Sequence, residues 1–189
     1  MAVGEPGGLG ALAAALCHEL REVGALVALL DHPDGSHQAR EANDFGADVY
    51  LGLRVTAQGG HQAAFFQTAG FESTGGRQLA EAVSAELAAY LTCAREVVGR
   101  RLPVLRETRM PAVLVAVGPP GLVVVRTPDL ARSMARALAR WAAAPVPTAS
   151  PAVSSPPGTG PAAVPAADID SLPTHGRSPV SLPSAASRR

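Results

Sequence analysis

The chain has 189 residues, a formal net charge of zero and no lysine, so all of its basic side chains are arginines. A neutral chain lacks the excess positive charge of most nucleic-acid-binding proteins, which argues against DNA or RNA as a partner. No stretch reaches the roughly 18 apolar residues of a transmembrane helix, and the alanine-rich N-terminus lacks the basic segment of a signal peptide. We therefore expect a cytoplasmic protein, or an extracytoplasmic one if the natural N-terminus lies upstream.

The first part of the chain alternates between helical and strand-like patterns. Residues 1–8 are too few to fold on their own. Hydrophobic spacing then predicts, in order, a helix, a strand, a helix and two strands, over residues 9–23, 25–30, 36–45, 48–53 and 63–67. Gly24 and Gly46 are expected to end the two helices, and Ser36 is the expected N-cap of the second.

The second part continues with the longest predicted helix and a valine-rich strand. The predicted elements are a helix, an edge strand, a buried strand, a further short strand and a last helix, over residues 77–93, 102–106, 112–117, 122–126 and from 128 onward. The arginines between 95 and 109 are expected in a solvated loop. Pro111 can open a strand, and the run from Ala112 to Val117 is typical of a strand buried on both faces. Ligands bind beyond the carboxyl ends of such strands, so a site is expected around 116–119.

Composition divides the chain into two parts. Residues 145–189 hold ten of the seventeen prolines and show no periodicity, which predicts a disordered tail. Residues 1–144 alternate strands and helices, which predicts a single layered α/β domain with a mostly parallel, partly mixed sheet flanked by helices. Cys17 and Cys93 belong to no C-x-x-C pair, and each is expected to be a small buried hydrophobe.

Four segments have the order and spacing of a known family. Residues 109–118 read Arg-Met-Pro-Ala-Val-Leu-Val-Ala-Val-Gly, residues 40–48 hold Arg, Ala-Asn and Ala-Asp at compressed spacing, and residues 73–80 hold a Ser…Leu-Ala helix start. Residues 49–55 stand where the family has a strand that ends in Ser-Ile-His-Ala-Asn. Together these segments resemble the zinc-dependent N-acetylmuramoyl-L-alanine amidases of the amidase-3 type. The resemblance spans residues 5–141 and implies a role in peptidoglycan metabolism.

The resemblance also implies which residues would form the active site. The family holds zinc with His, Glu and His and leaves one position open for water, and a separate glutamate is the general base. The first histidine belongs to an Asp-Pro-Gly-His motif on the first strand, and this motif and strand are expected to be absent here. Glu5 matches the ligand glutamate by spacing, Arg54 stands at the second histidine, and Ala116 stands at the general base. Since arginine has no lone pair to donate, we expect no intact catalytic residue and no bound zinc.

Seven other side chains are candidate replacement ligands for zinc: His18, His32, His37, His61, His175, Glu72 and Glu107. His18 is expected to be exposed on its helix. His32 and His37 bracket a turn beside two aspartates, which is a weakly metal-like pattern. His61 follows the Arg54 strand in a predicted loop, from which it could approach the cleft. The two glutamates have no predicted place near it.

Three functions are compatible with these patterns. The first is a binding or regulatory module without hydrolase activity, in which Arg54, Arg106 and Arg109 hold an anionic group of a peptidoglycan fragment or precursor, or in which a cell-wall protein is bound. The second is an active zinc amidase that hydrolyses the lactyl-L-alanine amide with shifted ligands or an upstream start. The third is a partner-binding protein that works through its Pro-rich tail. We favour the first, because an upstream start would not replace Arg54 or Ala116.

Overall fold

A computed structural model describes residues 1–91 and 94–143 of the chain. Within them, seven strands form one mixed sheet: β1 (Ala2–Gly4), β2 (Ala28–Leu30), β3 (Tyr50–Val55), β4 (Gly60–Thr68), β5 (Phe71–Glu72), β6 (Ala94–Arg100) and β7 (Ala112–Gly118). Five helices flank it: α1 (Gly10–Glu22), α2 (Gly35–Asp44), α3 (Thr74–Leu87), α4 (Pro103–Glu107) and α5 (Pro120–Ala143). The predicted α/β class is confirmed. Cys93 and the predicted tail lie outside the described residues.

The sheet is parallel on one side and mixed on the other. Its strand order is β2-β1-β3-β7-β4-β5, and β6 also pairs with β4, on the side away from β7. The first four strands in this order run parallel, and β4 runs antiparallel to β7. β6 runs parallel to β4. The carboxyl ends of β1, β3 and β7 therefore share one edge of the sheet.

Each face of the sheet packs against its own group of helices. One face packs on α1, α3 and α5 and forms the larger core, to which β7 contributes Val113, Val115 and Val117. The other face packs on α2 and α4 in a smaller cluster. On this second face Leu114 and Ala116 are only half-buried. The cover of the second face is thus incomplete toward the carboxyl end of β7, and a cleft opens there.

The first strand is present, contrary to the prediction that it is missing. Ala2–Gly4 lie between β2 and β3, with Val3 opposite Leu29 on one side and Leu51 on the other. Three residues are too few to show an alternating pattern, so the sequence alone carries no strand prediction here. The segment becomes a strand because it pairs with β2 on one side and β3 on the other, which depends on the tertiary structure.

Residues 94–106 also differ from the prediction. Residues 94–100 form β6 instead of a solvated loop; Arg95, Glu96 and Arg100 are exposed on it, as suits an edge strand. Residues 102–106 form helix α4 instead of an edge strand. Pro103 lies in the first turn of α4, where its missing N–H removes no helical hydrogen bond.

The last helix begins earlier than predicted. It starts at Pro120 rather than Pro128, and it includes residues 122–126, which were predicted as a strand. Val123 is buried while Val124 and Val125 are exposed, which is a helical rather than an alternating distribution. Pro128 is tolerated inside α5, where the neighbouring Thr127 hydroxyl donates to the carbonyl of Val123.

The remaining local predictions are mostly confirmed. Gly24 and Gly46 take positive φ angles of 84° and 67° just after α1 and α2. The N-cap of α2 is Asp34, whose carboxylate accepts from the Ser36 amide, so the prediction of Ser36 as the cap is wrong. Cys17 is buried, as expected. In the described part of the chain, no helix is both long enough and apolar enough to cross a membrane.

Candidate functional site

Arg54 and Ala116 lie side by side near the carboxyl ends of two central strands. The parallel pairing of β3 with β7 sets Arg54 opposite Ala116. Leu53 and Val115, the preceding pair, belong to the larger core. Arg54 and Ala116 therefore face the other side of the sheet, where α2 and α4 leave the cleft open. This is the region in which the sequence predicts a site.

Two polar residues extend this pair into a row across four strands. Gln62 of β4 is paired with Ala116, and Glu96 of β6 is paired with Gln62. The Gln62 side-chain amide donates a hydrogen bond to the Glu96 carboxylate. Ala116 thus leaves a gap between the Arg54 cation and the Gln62–Glu96 pair.

A cavity of about 580 Å³ lies over this part of the sheet. Two arginines line it, Arg54 and Arg100, together with the apolar side chains of Ala64, Leu102 and Leu114. Among the described residues, no carboxylate lies within salt-bridge distance of either arginine. None of the described residues that line the cavity is acidic, so its local charge is positive and suits an anionic ligand.

Two smaller cavities continue the cleft in opposite directions. A cavity of about 410 Å³ shares Gln62 and Ala116 with the first and includes Glu96. Another, of about 340 Å³, shares Arg54 and is lined mainly by apolar or ring side chains, among them Tyr50 and Pro103. The cleft as a whole has a basic centre, an acidic end and an apolar end.

A buried hydrogen-bonded pair forms the floor of the apolar end. The Tyr50 hydroxyl donates to Gln38 Oε1 at 2.5 Å, and Gln38 Nε2 donates to the carbonyl of His32 at 2.5 Å. Glycines make room for the phenol, since a Cβ at Gly4 would lie 2.8 Å from Tyr50 Cζ and one at Gly52 would lie 3.0 Å from Tyr50 Oη. Burial raises the pKa of Tyr50, so its hydroxyl remains a donor.

Glu5 holds the turn between β1 and α1 through backbone hydrogen bonds. It follows β1 and is only 6% exposed. Its Oε1 accepts from the backbone amides of Gly7, at 2.8 Å, and Leu9, at 2.9 Å. Gly7 and Leu9 precede α1, which begins at Gly10, so these two hydrogen bonds fix the turn from β1 into the helix. One oxygen of the candidate zinc ligand is therefore already engaged by the backbone.

The segment that follows β1 partly matches the first amidase motif. The resemblance places an Asp-Pro-Gly-His motif on the first strand, and Glu5-Pro6-Gly7-Gly8 follows β1 directly. Pro6 and Gly7 match the Pro-Gly of this motif, and Gly8 stands where the motif has its histidine. The match of Glu5 to the ligand glutamate stays a prediction.

The prediction that His61 lies in a loop is wrong. His61 belongs to β4 and lies on the sheet face opposite Arg54. Its Nε2 lies 2.9 Å from the Ser84 hydroxyl and 3.1 Å from the Ser84 carbonyl oxygen in α3. Arg95 Nε donates to the same hydroxyl at 3.1 Å. Burial lowers the pKa of His61; the Ser84 carbonyl opposes this shift, and the nearby Arg95 charge adds to it.

The other described histidines do not assemble a metal site. The rings of His32 and His37 stack with centroids 3.9 Å apart, and His32 Nδ1 accepts from the Asp34 amide. His37 Nδ1 lies 3.4 Å from Glu41 Oε2. His18 is exposed on α1, as predicted. Within residues 1–91 and 94–143, no three His, Cys, Asp or Glu side chains are grouped to hold a metal ion; His175 lies outside these residues.

The three arginines proposed as ligand-binding residues do not share one cavity. Arg106 and Arg109 line a separate cavity of about 360 Å³ with Phe66 and Phe71. That cavity lies at the amino end of β7, whereas Arg54 lies near the carboxyl end. Any joint role of all three in one ligand site is therefore unsupported by their placement.

The two candidate glutamates pair with neighbouring arginines instead of entering the cleft. Glu72 Oε1 lies 3.0 Å from Arg77 Nη1, and Glu107 Oε1 lies 2.5 Å from Arg106 Nη2. The hydrogen bond from Arg106 lowers the pKa of Glu107. Both carboxylates are thus held as ion pairs on the surface.

The side chains of the cleft do not fit a catalytic zinc ion. Such a site needs three donor side chains and an open position for water. Arg54 brings a permanent positive charge without a lone pair, Ala116 offers no carboxylate, and Glu5 already accepts two backbone hydrogen bonds through Oε1. No catalytic step through zinc can be derived from these residues.

Comparisons with known proteins bear on the fold. The sequence matches no family model and no curated protein. The structure matches N-acetylmuramoyl-L-alanine amidase AmiC2 of Nostoc punctiforme at 18% identity and a TM-score of 0.62, over 76% of this chain and 97% of that chain. It also matches the N-acetylmuramoyl-L-alanine amidase of Clostridium difficile 630 at 17% identity and a TM-score of 0.60, over 75% and 96%. The chain has the fold of the N-acetylmuramoyl-L-alanine amidases.

A third similar structure is the CwlD amidase of Clostridioides difficile, solved in complex with the GerS lipoprotein. It is 15% identical, with a TM-score of 0.60 over 75% of this chain and 98% of that chain. The amidase resemblance of the sequence is thus confirmed at the level of the fold. Sequence analysis missed the part of the cleft contributed by β6, namely Glu96 and Arg100. An alternating pattern over 94–100 would have placed Glu96, Val98 and Arg100 on one face.

Proposed function

We propose that this domain is an amidase-like binding module of peptidoglycan metabolism that holds a cell-wall fragment or precursor without hydrolysing it. The observation that carries the proposal is the pairing of Arg54 with Ala116 on adjacent strands. The resemblance places a zinc-binding histidine and the general-base glutamate at these two positions. Amide hydrolysis in the amidases uses a metal-activated water and a general base, and a guanidinium and a methyl group supply neither.

Arg54 is the proposed anchor for an anionic group of the ligand. It is exposed in the cleft, and no described carboxylate neutralises it. A guanidinium can bind a carboxylate or phosphate through two parallel hydrogen bonds. Muropeptides and their nucleotide-linked precursors carry such groups.

A cell-wall protein is the alternative partner. Support comes from one structural neighbour, the CwlD amidase, which was solved in complex with the GerS lipoprotein. Recruitment of a partner by the Pro-rich tail concerns residues outside those described and stays a prediction. The cytoplasmic location also stays a prediction.

The test combines metal content, turnover and binding on the full chain. Elemental mass spectrometry after a zinc soak should find far less than one zinc per chain, and incubation with a muropeptide should release no peptide. Calorimetric titration should detect muropeptide binding that Arg54→Ala weakens about fivefold, the effect expected for one exposed ion pair. Arg101→Ala, an exposed arginine outside these cavities, should bind like the wild type.

Two results would decide against the proposal. One zinc per chain together with release of peptide would establish an active amidase. Muropeptide affinity that is the same in the wild type and in Arg54→Ala would remove Arg54 from the binding site.

A further inference from the structure

The 580 Å³ cavity has an arginine on each of two opposite sides. Arg54 belongs to β3 and Arg100 to β6, and the strand order β3-β7-β4-β6 separates them by three strand spacings. Along the strands, Glu96 is the β6 residue that completes the Arg54 row, and Arg100 lies four residues beyond it. The two arginines therefore approach the cavity from diagonally opposed positions on the sheet.

Strand geometry shows that their main chains are far apart. Three spacings of about 4.8 Å across the sheet and four residues of about 3.3 Å along it place the two Cα atoms roughly 20 Å apart. Both side chains nevertheless line the same cavity. The cavity thus extends between two arginines whose main chains lie far apart, an arrangement that does not favour convergence on a single small anion.

The surface between the two arginines is uncharged. Ala64, Leu102 and Leu114 line it, and no acidic side chain from residues 1–91 or 94–143 does. The nearest acidic residue in the row, Glu96, accepts a hydrogen bond from Gln62 and lines the adjacent cavity instead. A complementary ligand would carry an anionic group at each end and an uncharged segment in the middle.

We propose that this cavity binds an elongated ligand with two anionic groups, one held by Arg54 and the other by Arg100, separated by an uncharged spacer. A short peptide with one acidic side chain and a free C-terminal carboxylate belongs to this class. The inference rests on the proposed binding function of the cleft and specifies the charge pattern of its ligand. A cleft with two arginines that no described carboxylate pairs repels a divalent metal and attracts a dianion.

The test uses simple dicarboxylates as probes of the full chain. Succinate, adipate, suberate and sebacate are titrated while NMR chemical shifts are followed, alongside monocarboxylates of equal carbon number. Affinity should peak at one chain length, where the dicarboxylate binds about fivefold more tightly than its monocarboxylate. Arg54→Gln and Arg100→Gln should each reduce dicarboxylate affinity to the monocarboxylate value, whereas Arg101→Gln should leave it unchanged.

The outcomes separate this inference from the proposed function. Dicarboxylates that bind no more tightly than monocarboxylates at every length, or Arg100→Gln with wild-type affinity for them, would overturn the two-anion site. Muropeptide binding that depends on Arg54 alone would also overturn it while leaving the proposed function in place. Length-dependent dicarboxylate binding without muropeptide binding would support the two-anion site and refute the cell-wall ligand. Since both arginines are exposed, thermal unfolding of the variants should match the wild type.

Discussion

Replacing Gly4 by alanine tests whether the Tyr50–Gln38 pair is packed rigidly over the first strand. A Cβ at Gly4 would lie 2.8 Å from Tyr50 Cζ and would overlap Tyr50 Oη and Gln38 Oε1. Tyr50 is 1% exposed and Gln38 is 2% exposed, so neither side chain can swing into solvent to relieve the overlap. The added methyl group must therefore displace β1 or break the pair.

The expected loss of stability follows from these two routes. Overfilling a well-packed site costs typically about 1–3 kcal/mol. Breaking the 2.5 Å hydrogen bond between Tyr50 Oη and Gln38 Oε1 leaves two buried polar atoms without a partner, which costs about 1–3 kcal/mol of stability. A combined loss of about 3 kcal/mol would lower the melting temperature of a chain of this size by roughly 6–12 °C.

Urea and thermal unfolding followed by circular dichroism measure this loss. Gly10→Ala is the matched control, because Gly10 is exposed in α1 and a Cβ there would meet no atom within 4 Å. Because Gly10 is the first residue of α1, this control should stay within about 0.5 kcal/mol of the wild type. Gly4→Ala combined with Tyr50→Phe should lose less than the sum of the single variants, because one overlapping atom is removed. A Gly4→Ala protein within about 0.5 kcal/mol of the wild type would refute the rigid packing.

Three further predictions concern His61, Glu5 and Ala116. Burial lowers the pKa of His61 below its ordinary 6.5, so the unfolded chain protonates first as the pH falls. Protonation of His61 should then lower the wild-type free energy of unfolding between about pH 7 and pH 5 by at most about 1.4 kcal/mol per pH unit. Urea unfolding of the wild type and of His61→Gln measures this loss, and the same pH dependence in both proteins would contradict the prediction. Glu5→Ala should lose about 2 kcal/mol of stability because two backbone amides lose their acceptor, whereas Glu5→Gln keeps an acceptor oxygen and should lose under about 1 kcal/mol. Equal losses of the two variants in urea unfolding would show that these hydrogen bonds do not stabilise the turn. Ala116→Glu places a carboxylate opposite Arg54 and should weaken anion binding about fivefold in the NMR titration, so unchanged affinity would remove Arg54 as the anchor.

The helices and strands that could be predicted are those with one apolar face packed on the core. The valines of β7 and the leucines of α1 show the period of their element because each packs on the larger core. β1 and β6 lack this property. β1 has three residues, and β6 is an edge strand whose charged side chains face solvent. Their structure is decided by pairing with strands elsewhere in the chain, which a local pattern does not contain.

The same distinction explains which site residues were found. Arg54 and Ala116 were identified because they interrupt motifs that the sequence carries locally. Arg100 was overlooked as part of the cleft because only the pairing of β6 with β4 brings it there. The backbone hydrogen bonds of Glu5 were equally hidden, since they depend on how the chain turns from β1 into α1. The sequence grouped Arg54 with Arg106 and Arg109, but Arg106 and Arg109 line a cavity at the amino end of β7 and Arg54 lies near its carboxyl end; only the pairing of β3 with β7 shows this separation.

The charge of the cleft depends on Arg54 and Ala116 together rather than on either alone. Opposite charges directly across two neighbouring strands attract, so a glutamate at position 116 beside Arg54 would form an ion pair and leave no net charge for a ligand. A histidine at position 54 beside Ala116 would give the cleft a side chain whose charge depends on pH. Arginine with alanine is the combination that keeps a permanent and uncompensated cation in the cleft. Because Arg100 adds a second such cation across an apolar surface, the charge of the cleft suits anionic ligands.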